Sequence, residues 1–198
     1  MSGLFSKVRA VFRARPLVAN ATTYTAMICA AEFTQQTILK RYEPDRRYDF
    51  TIIGRYFVIG SCIYGPTLFH FYRILDRALP AKTVAVSLTK AVVDQAVLSS
   101  SLLAVFYTAM SVMEGEDDVF AEMKAKWWPT YKLSCLFWVP VQCCNFLFMP
   151  PPARVVTVGV CSFVWVNILC LCKRGMAIKS TTEKSEEKSP ESATLMTV

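Results

Sequence analysis

Residues Trp127–Arg154 read WWPTYKLSCLFWVPVQCCNFLFMPPPAR. No charge occurs between Lys132 and Arg154, and apolar residues fill most of that interval. Gln142 and Asn145 lie inside it, three apart, which puts both amides on one face of a helix. Pro140 precedes them and frees a carbonyl one turn back, so the spacing predicts a kink beside the amides. Pro150, Pro151 and Pro152 end the helix, and Arg154 follows where a membrane surface would lie. Neighbouring helices satisfy freed carbonyls in lipid. The stretch therefore reads as a kinked membrane helix with a polar inner face.

The rest of the chain agrees with that environment. Its 198 residues are 54% hydrophobic, with a mean hydropathy of +0.34, which points to a multi-span membrane protein. The net charge of +7 raises nucleic acid as a partner, but the basic residues flank apolar runs. That placement fits membrane topology signals and contact with the lipid bilayer, so direct nucleic-acid binding is not expected. Eight cysteines are scattered through apolar segments and there is one histidine, so neither a metal site nor a disulfide framework nor a cofactor is expected. The cysteines read as small buried hydrophobes. No paired carboxylates, Ser-His or Cys-His arrangement or phosphate-cradling glycine loop is present, so an enzyme is not expected.

Residues 1–16 form a basic segment with Lys7, Arg9, Arg13 and Arg15 and no acid. It resembles a mitochondrial import signal; the other reading is a plain charged flank. The bundle is expected over 17–174, as four or five membrane helices. The first span, 17–39, carries Glu32 and Gln36, four apart on one face. An acid in lipid usually faces the bundle interior, although Glu32 near an interface would reach water. The second span, 51–75, carries Arg55 early, glycines for close helix approach, and a break at Gly65–Pro66. The third, 85–113, holds Lys90, Asp94 and Gln95; Lys90 and Asp94 are four apart and are expected to pair along the helix. A last apolar run covers 155–172, and 175–198 reads as a disordered polar tail. A faint internal echo, in which Pro66 and Pro140 each follow a Ser-Cys dipeptide, suits a duplicated helix pair or chance. Lys and Arg number seven on each side of the expected topology, which sets no orientation.

Several motifs resemble one family. Trp128, Tyr131, Lys132, Trp138, Gln142, Asn145, Phe146, Pro150 and Arg154 are similar to the signature of the Mpv-seventeen family, also named for the twenty-two-kilodalton peroxisomal membrane protein. Gly65 and Pro66, the exit Tyr72-Asp76-Arg77-Pro80, the Glu32–Gln36 pair and Lys90 with Asp94–Gln95 extend the likeness over roughly 16–174. Departures are Cys135 for a tryptophan, a proline one residue late, Ala31 for a glycine and Phe69 where the family has its histidine. EGEDD at 114–118, followed by NFLFMPPPAR at 145–154, is most similar to the branch called Mpv-seventeen-like protein 2. The family resemblance implies an organelle inner-membrane protein linked to a small-solute pore and to mitochondrial homeostasis. The branch resemblance implies a role in mitochondrial ribosome assembly and translation. Two functions follow. One is a membrane scaffold of the mitochondrial inner membrane, partnered by the mitochondrial ribosome or other membrane proteins, or by further copies of itself. The other is a small-solute channel of that membrane or of the peroxisomal membrane, with Glu32, Asp94, Gln142 and Asn145 around a water path. In either case Glu32, Arg55, Lys90, Asp94, Gln142 and Asn145 are expected to face inward.

Overall fold

The computed structural model describes residues 10, 12, 14–43, 45 and 47–168. Most of the basic segment 1–16, the end of the last apolar run at 169–172 and the tail 175–198 lie outside them. Among the described residues every regular element is helical, so the protein is an all-α membrane bundle. From residue 16 to 168 five helices follow one another: α1 (Pro16–Tyr42), α2 (Phe50–Ala78), α3 (Val84–Glu114), α4 (Ala121–Phe148) and α5 (Pro151–Ile168).

Three of them, α2, α3 and α5, are long and apolar enough to cross a bilayer, at 29, 31 and 18 residues. The other two are long but more polar. α1 spans 27 residues and buries Asn20, Glu32 and Gln36. α4 spans 28 residues, and its first half carries Glu122, Lys124, Lys126 and Lys132. The uncharged part of α4, 133–148, is about 24 Å long at 1.5 Å per residue, somewhat less than the roughly 30 Å hydrocarbon core.

Local chemistry sets the ends. Asp49 caps α2, accepting from the Thr51 and Ile52 amides at 2.9 and 3.2 Å. Thr83 caps α3 through Val86 at 3.3 Å. Gly115 closes α3 in the left-handed region at φ 75°, which a residue without Cβ adopts freely. The triple proline stops α4 and forms a short 3₁₀ turn, Pro151–Ala153, that starts α5.

The break expected at Gly65–Pro66 does not end α2. α4 continues through both Pro129 and Pro140. In α2 the turn before Gly65–Pro66 widens to π geometry over Ile59–Tyr64, and the Gly65 amide reaches back five residues to Gly60 O. The extra residue re-registers the ladder around a proline that has no N–H to give. α3 contains a second wide turn, Asp94–Ser99, with no proline.

Packing is densest within two pairs, α1 with α2 and α3 with α4. α5 wedges between the pairs: Gly159 lies against Tyr24 and Met27 of α1, and Trp165 meets Phe137 and Trp138 of α4 at 5.2 and 6.3 Å. The bundle has two ends. One carries the 79–83 and 149–150 connections and is called the proline end. The other carries the 43–49 and 115–120 loops and is called the acidic-loop end.

Candidate functional site

Near the proline end the chain buries a connected group of charges and amides. Asp94, at the start of the wide turn in α3, is 1% exposed. Its Oδ2 accepts from Gln142 Nε2 of α4 at 2.8 Å and from Ser99 Oγ at 3.5 Å. The same Gln142 nitrogen donates to the Tyr72 hydroxyl of α2. Asn145 Nδ2 donates to Gln142 Oε1 at 3.0 Å, so the two amides do share one helical face. Beside Asp94, Gln95 donates to Ser134 Oγ at 2.9 Å, and the Tyr131 hydroxyl donates to Gln95 O at 3.3 Å. The widened turn lets two adjacent α3 residues both reach α4.

The charge pairing differs from the sequence expectation. Lys90 does not neutralise Asp94 along the helix. Its Nζ donates to Asp76 Oδ1 of α2 at 2.8 Å. The short 79–83 connection folds α3 back on α2, which brings the second turn of α3 against the last turn of α2. Asp76 also pairs with Arg154, the residue expected at the membrane surface. Arg154 is instead 1% exposed. The 3₁₀ turn turns it back under α4, where its Nε and Nη2 donate to Met149 O and Phe146 O at 3.3 and 3.4 Å. It thereby caps carbonyls that α4 leaves unpaired at its end. The Phe146 ring lies 5.6 Å from Lys90 Nζ and 5.2 Å from Arg154 Cζ. Two carboxylates, Asp76 and Asp94, thus share a buried region with two cations, Lys90 and Arg154, and the formal charges cancel.

Asp76 was legible only as part of a resemblance. One physical signal could have singled it out: an acid in the last turn of a helix opposes the helix dipole and calls for a cation nearby.

Glu32 and Gln36 sit elsewhere, at the acidic-loop end. Gln36 pairs with the Asp49 backbone as a peptide would, donating to Asp49 O at 2.9 Å and accepting from Asp49 N at 2.8 Å. Its Nε2 also donates to Glu32 Oε1 at 3.0 Å. The pair ties the 43–49 loop to α1. Arg55 is half-buried and bonded to Glu114 at 2.7 Å, which joins the start of α2 to the end of α3. Of the remaining motif residues, Trp138 and Phe146 are buried in the core, and Gly65 abuts the α1 backbone at Ala21. Trp128 is exposed and stacks near Tyr131 with Lys132 over its ring. Pro66 and Pro150 act through the backbone, at the wide turn and the α4 stop.

Between the two helix pairs lies a cavity of about 930 Å³. It runs from Lys126 and Gln35 toward the acidic-loop end down to Tyr72, Ser99 and Gln142. Its wall is mainly aromatic and aliphatic. The expected ring of Glu32, Asp94, Gln142 and Asn145 does not form around it; only Gln142 lines it. Asp94 accepts from Gln142 across the α3–α4 contact, Asn145 donates to Gln142 along α4, and Glu32 accepts from Gln36 along α1. Among the described residues no cluster of metal-ligating side chains occurs.

Residues 111–170, which contain the α4 amides and Arg154, match the Mpv17 / PMP22 family. An Mpv17-like protein of Bos taurus is 37% identical over 159 residues, covering 80% of this chain and 79% of that one. The chain belongs to the Mpv17 / PMP22 family. Protein SYM1 of Mycosarcoma maydis is 34% identical over 69% of each chain. Peroxisomal membrane protein 2 of Bos taurus is 24% identical, over 80% of this chain and 84% of that one. No solved structure matches the chain. Family membership and three apolar spanning helices make it an integral membrane protein surrounded by lipid.

Proposed function

We propose that this protein is a non-enzymatic scaffold of the mitochondrial inner membrane that supports assembly of the mitochondrial ribosome and translation. One observation carries the preference for a scaffold over an open pore. Lys90 and Arg154 are bound to Asp76 and Gln142 to Asp94 across helices, Asn145 is bound to Gln142 along α4, and the group does not ring the cavity. Such locks specify one arrangement of helices, which suits a surface offered to partners. The likeness of EGEDD and NFLFMPPPAR to the translation-linked branch supports the partner, and the basic, acid-free start supports the organelle. The test is radiolabelled protein synthesis in mitochondria from cells that lack the protein, with ribosomal subunits resolved on gradients. Lowered synthesis with incomplete subunits, restored by the full chain, is expected. Unchanged synthesis overturns the reading.

The cavity favours a second reading, a closed small-solute conduit of the mitochondrial inner or the peroxisomal membrane. Its inner end meets Gln142, directly beside the Asp94 carboxylate. On this reading Asp94→Asn in a reconstituted bilayer lowers cation preference, because the fixed charge is removed while the shape stays. Absence of conductance in every condition tried rules the conduit out.

A further inference from the structure

The walls of the large cavity are drier than their residue names suggest. The Tyr64 hydroxyl donates to Leu102 O at 2.8 Å. Tyr107 is bonded to Thr130 at 2.9 Å, Tyr24 to Ser162, and Ser134 to Gln95. The Gln142 amide is used by Asp94, Tyr72 and Asn145. The lining hydroxyls and amides are thus largely consumed by the protein, and what remains is ring and aliphatic surface such as Ile28, Leu68, Leu103, Phe106 and Leu133. A wall of that kind gives dissolved polar solutes little to bind, and left empty it forfeits dispersion contacts around its whole circumference.

One lining residue breaks the pattern. Lys126 is the charged side chain of the wall among the described residues, and no carboxylate lines it. Its ammonium has three donors, and Glu122 takes one at 2.5 Å. It lies toward the acidic-loop end, beside the stacked Trp127, Trp128 and Tyr131, whose amphipathic rings suit a membrane interface. From Thr130, one turn below Lys126, to Gln142 at the inner end is about 18 Å along α4. One leaflet of hydrocarbon is roughly 15 Å, half of the bilayer core.

From the cavity and its single cation we infer a binding site for a single-chain amphiphile with an anionic head, a carboxylate or phosphate monoester. The alkyl chain lies between the α1–α2 and α3–α4 pairs, and the head lies at Lys126. The inference goes beyond the scaffold reading and does not depend on it. A ribosome-independent binding assay tests it, and a negative translation assay leaves it standing.

The full-length protein in lipid nanodiscs is exposed to a long-chain carboxylate bearing a photoreactive group near its tail, and the labelled peptides are mapped by mass spectrometry. Label is expected on cavity residues toward Gln142 such as Leu98 and Trp138, displaced by excess unlabelled hexadecanoate. Lys126→Ala, at an exposed helix position paired with Glu122 one turn away, weakens competition by hexadecanoate about tenfold, the worth of one charge-assisted contact. It leaves competition by hexadecanol unchanged. A lysophosphatidate competitor run in parallel identifies the head: whichever anion depends more strongly on Lys126 is the natural source. Label confined to outward residues such as Phe57 and Leu136, and not displaced by competitor, means bulk lipid solvation and overturns the proposal. So does a Lys126→Ala protein that treats hexadecanoate as before.

Discussion

Asp76 accepts from both Lys90 and Arg154, so removing its charge strands two buried cations at once. Asp76→Asn is expected to cost about 3–5 kcal/mol, the usual result of breaking a buried pair from one side. Asp94 is held by Gln142 and Ser99 instead, and Asp94→Asn removes hydrogen bonds to a charge worth about 1.5–3 kcal/mol while Lys90 keeps its partner. Thermal unfolding of the two variants in the same nanodiscs checks the order; a larger loss for Asp94→Asn would return Lys90 to the i,i+4 pairing expected from spacing. Gln36 makes a third residue-scale case. Gln36→Leu leaves the Asp49 amide and carbonyl without their partner, so hydrogen exchange at the Asp49 amide should accelerate while exchange in α3 and α4 stays unchanged. Sequence spacing placed Gln142 and Asn145 on one face because both lie on one helix. It misassigned Lys90 because its true partner lies on another.

At the scale of the elements, the α1–α2 pair depends on close backbone approach. A Cβ on Gly65 would meet Ala21 Cβ and Cα at 2.6 and 2.7 Å, and backbone cannot swing aside as a flexible side-chain tip can. Gly65→Ala is therefore expected to destabilise by about 1–3 kcal/mol through overpacking. Gly54, in the same helix, has nothing within 4 Å of its Cβ position. There the better helix propensity of alanine should make Gly54→Ala neutral or stabilising by up to about 1 kcal/mol. Equal effects at the two glycines, read as unfolding midpoints, would contradict the α1–α2 contact. The same element shows why Gly65–Pro66 was misread as a break. A proline removes one ladder bond, and the sequence does not say whether the chain bends there or widens a turn upstream. Contact with α1 at Gly60 and Gly65 accompanies the second solution.

For the whole molecule, the proposal of a mitochondrial location draws on the basic start. Changing Arg9, Arg13 and Arg15 to glutamate should lower import into isolated mitochondria severalfold, since an acid-free basic face is what such signals offer. Undiminished import would move the targeting information into the helices. The all-α membrane architecture was legible from hydropathy and helix punctuation alone. An apolar chain in lipid must satisfy its own backbone, and helices do so with bonds between near neighbours in sequence. The stop at Pro150 and the shared face of Gln142 and Asn145 followed from the same short-range rules. Tertiary structure alone decided which acid met which cation, that Arg154 was drawn from the surface to the end of α4, and that Gln36, bonded to Glu32, held a loop. It also decided that a cavity with a mainly apolar wall lies between the two helix pairs. Those outcomes depend on how whole helices lie against one another, and spacing along one helix carries no information about a partner on the next.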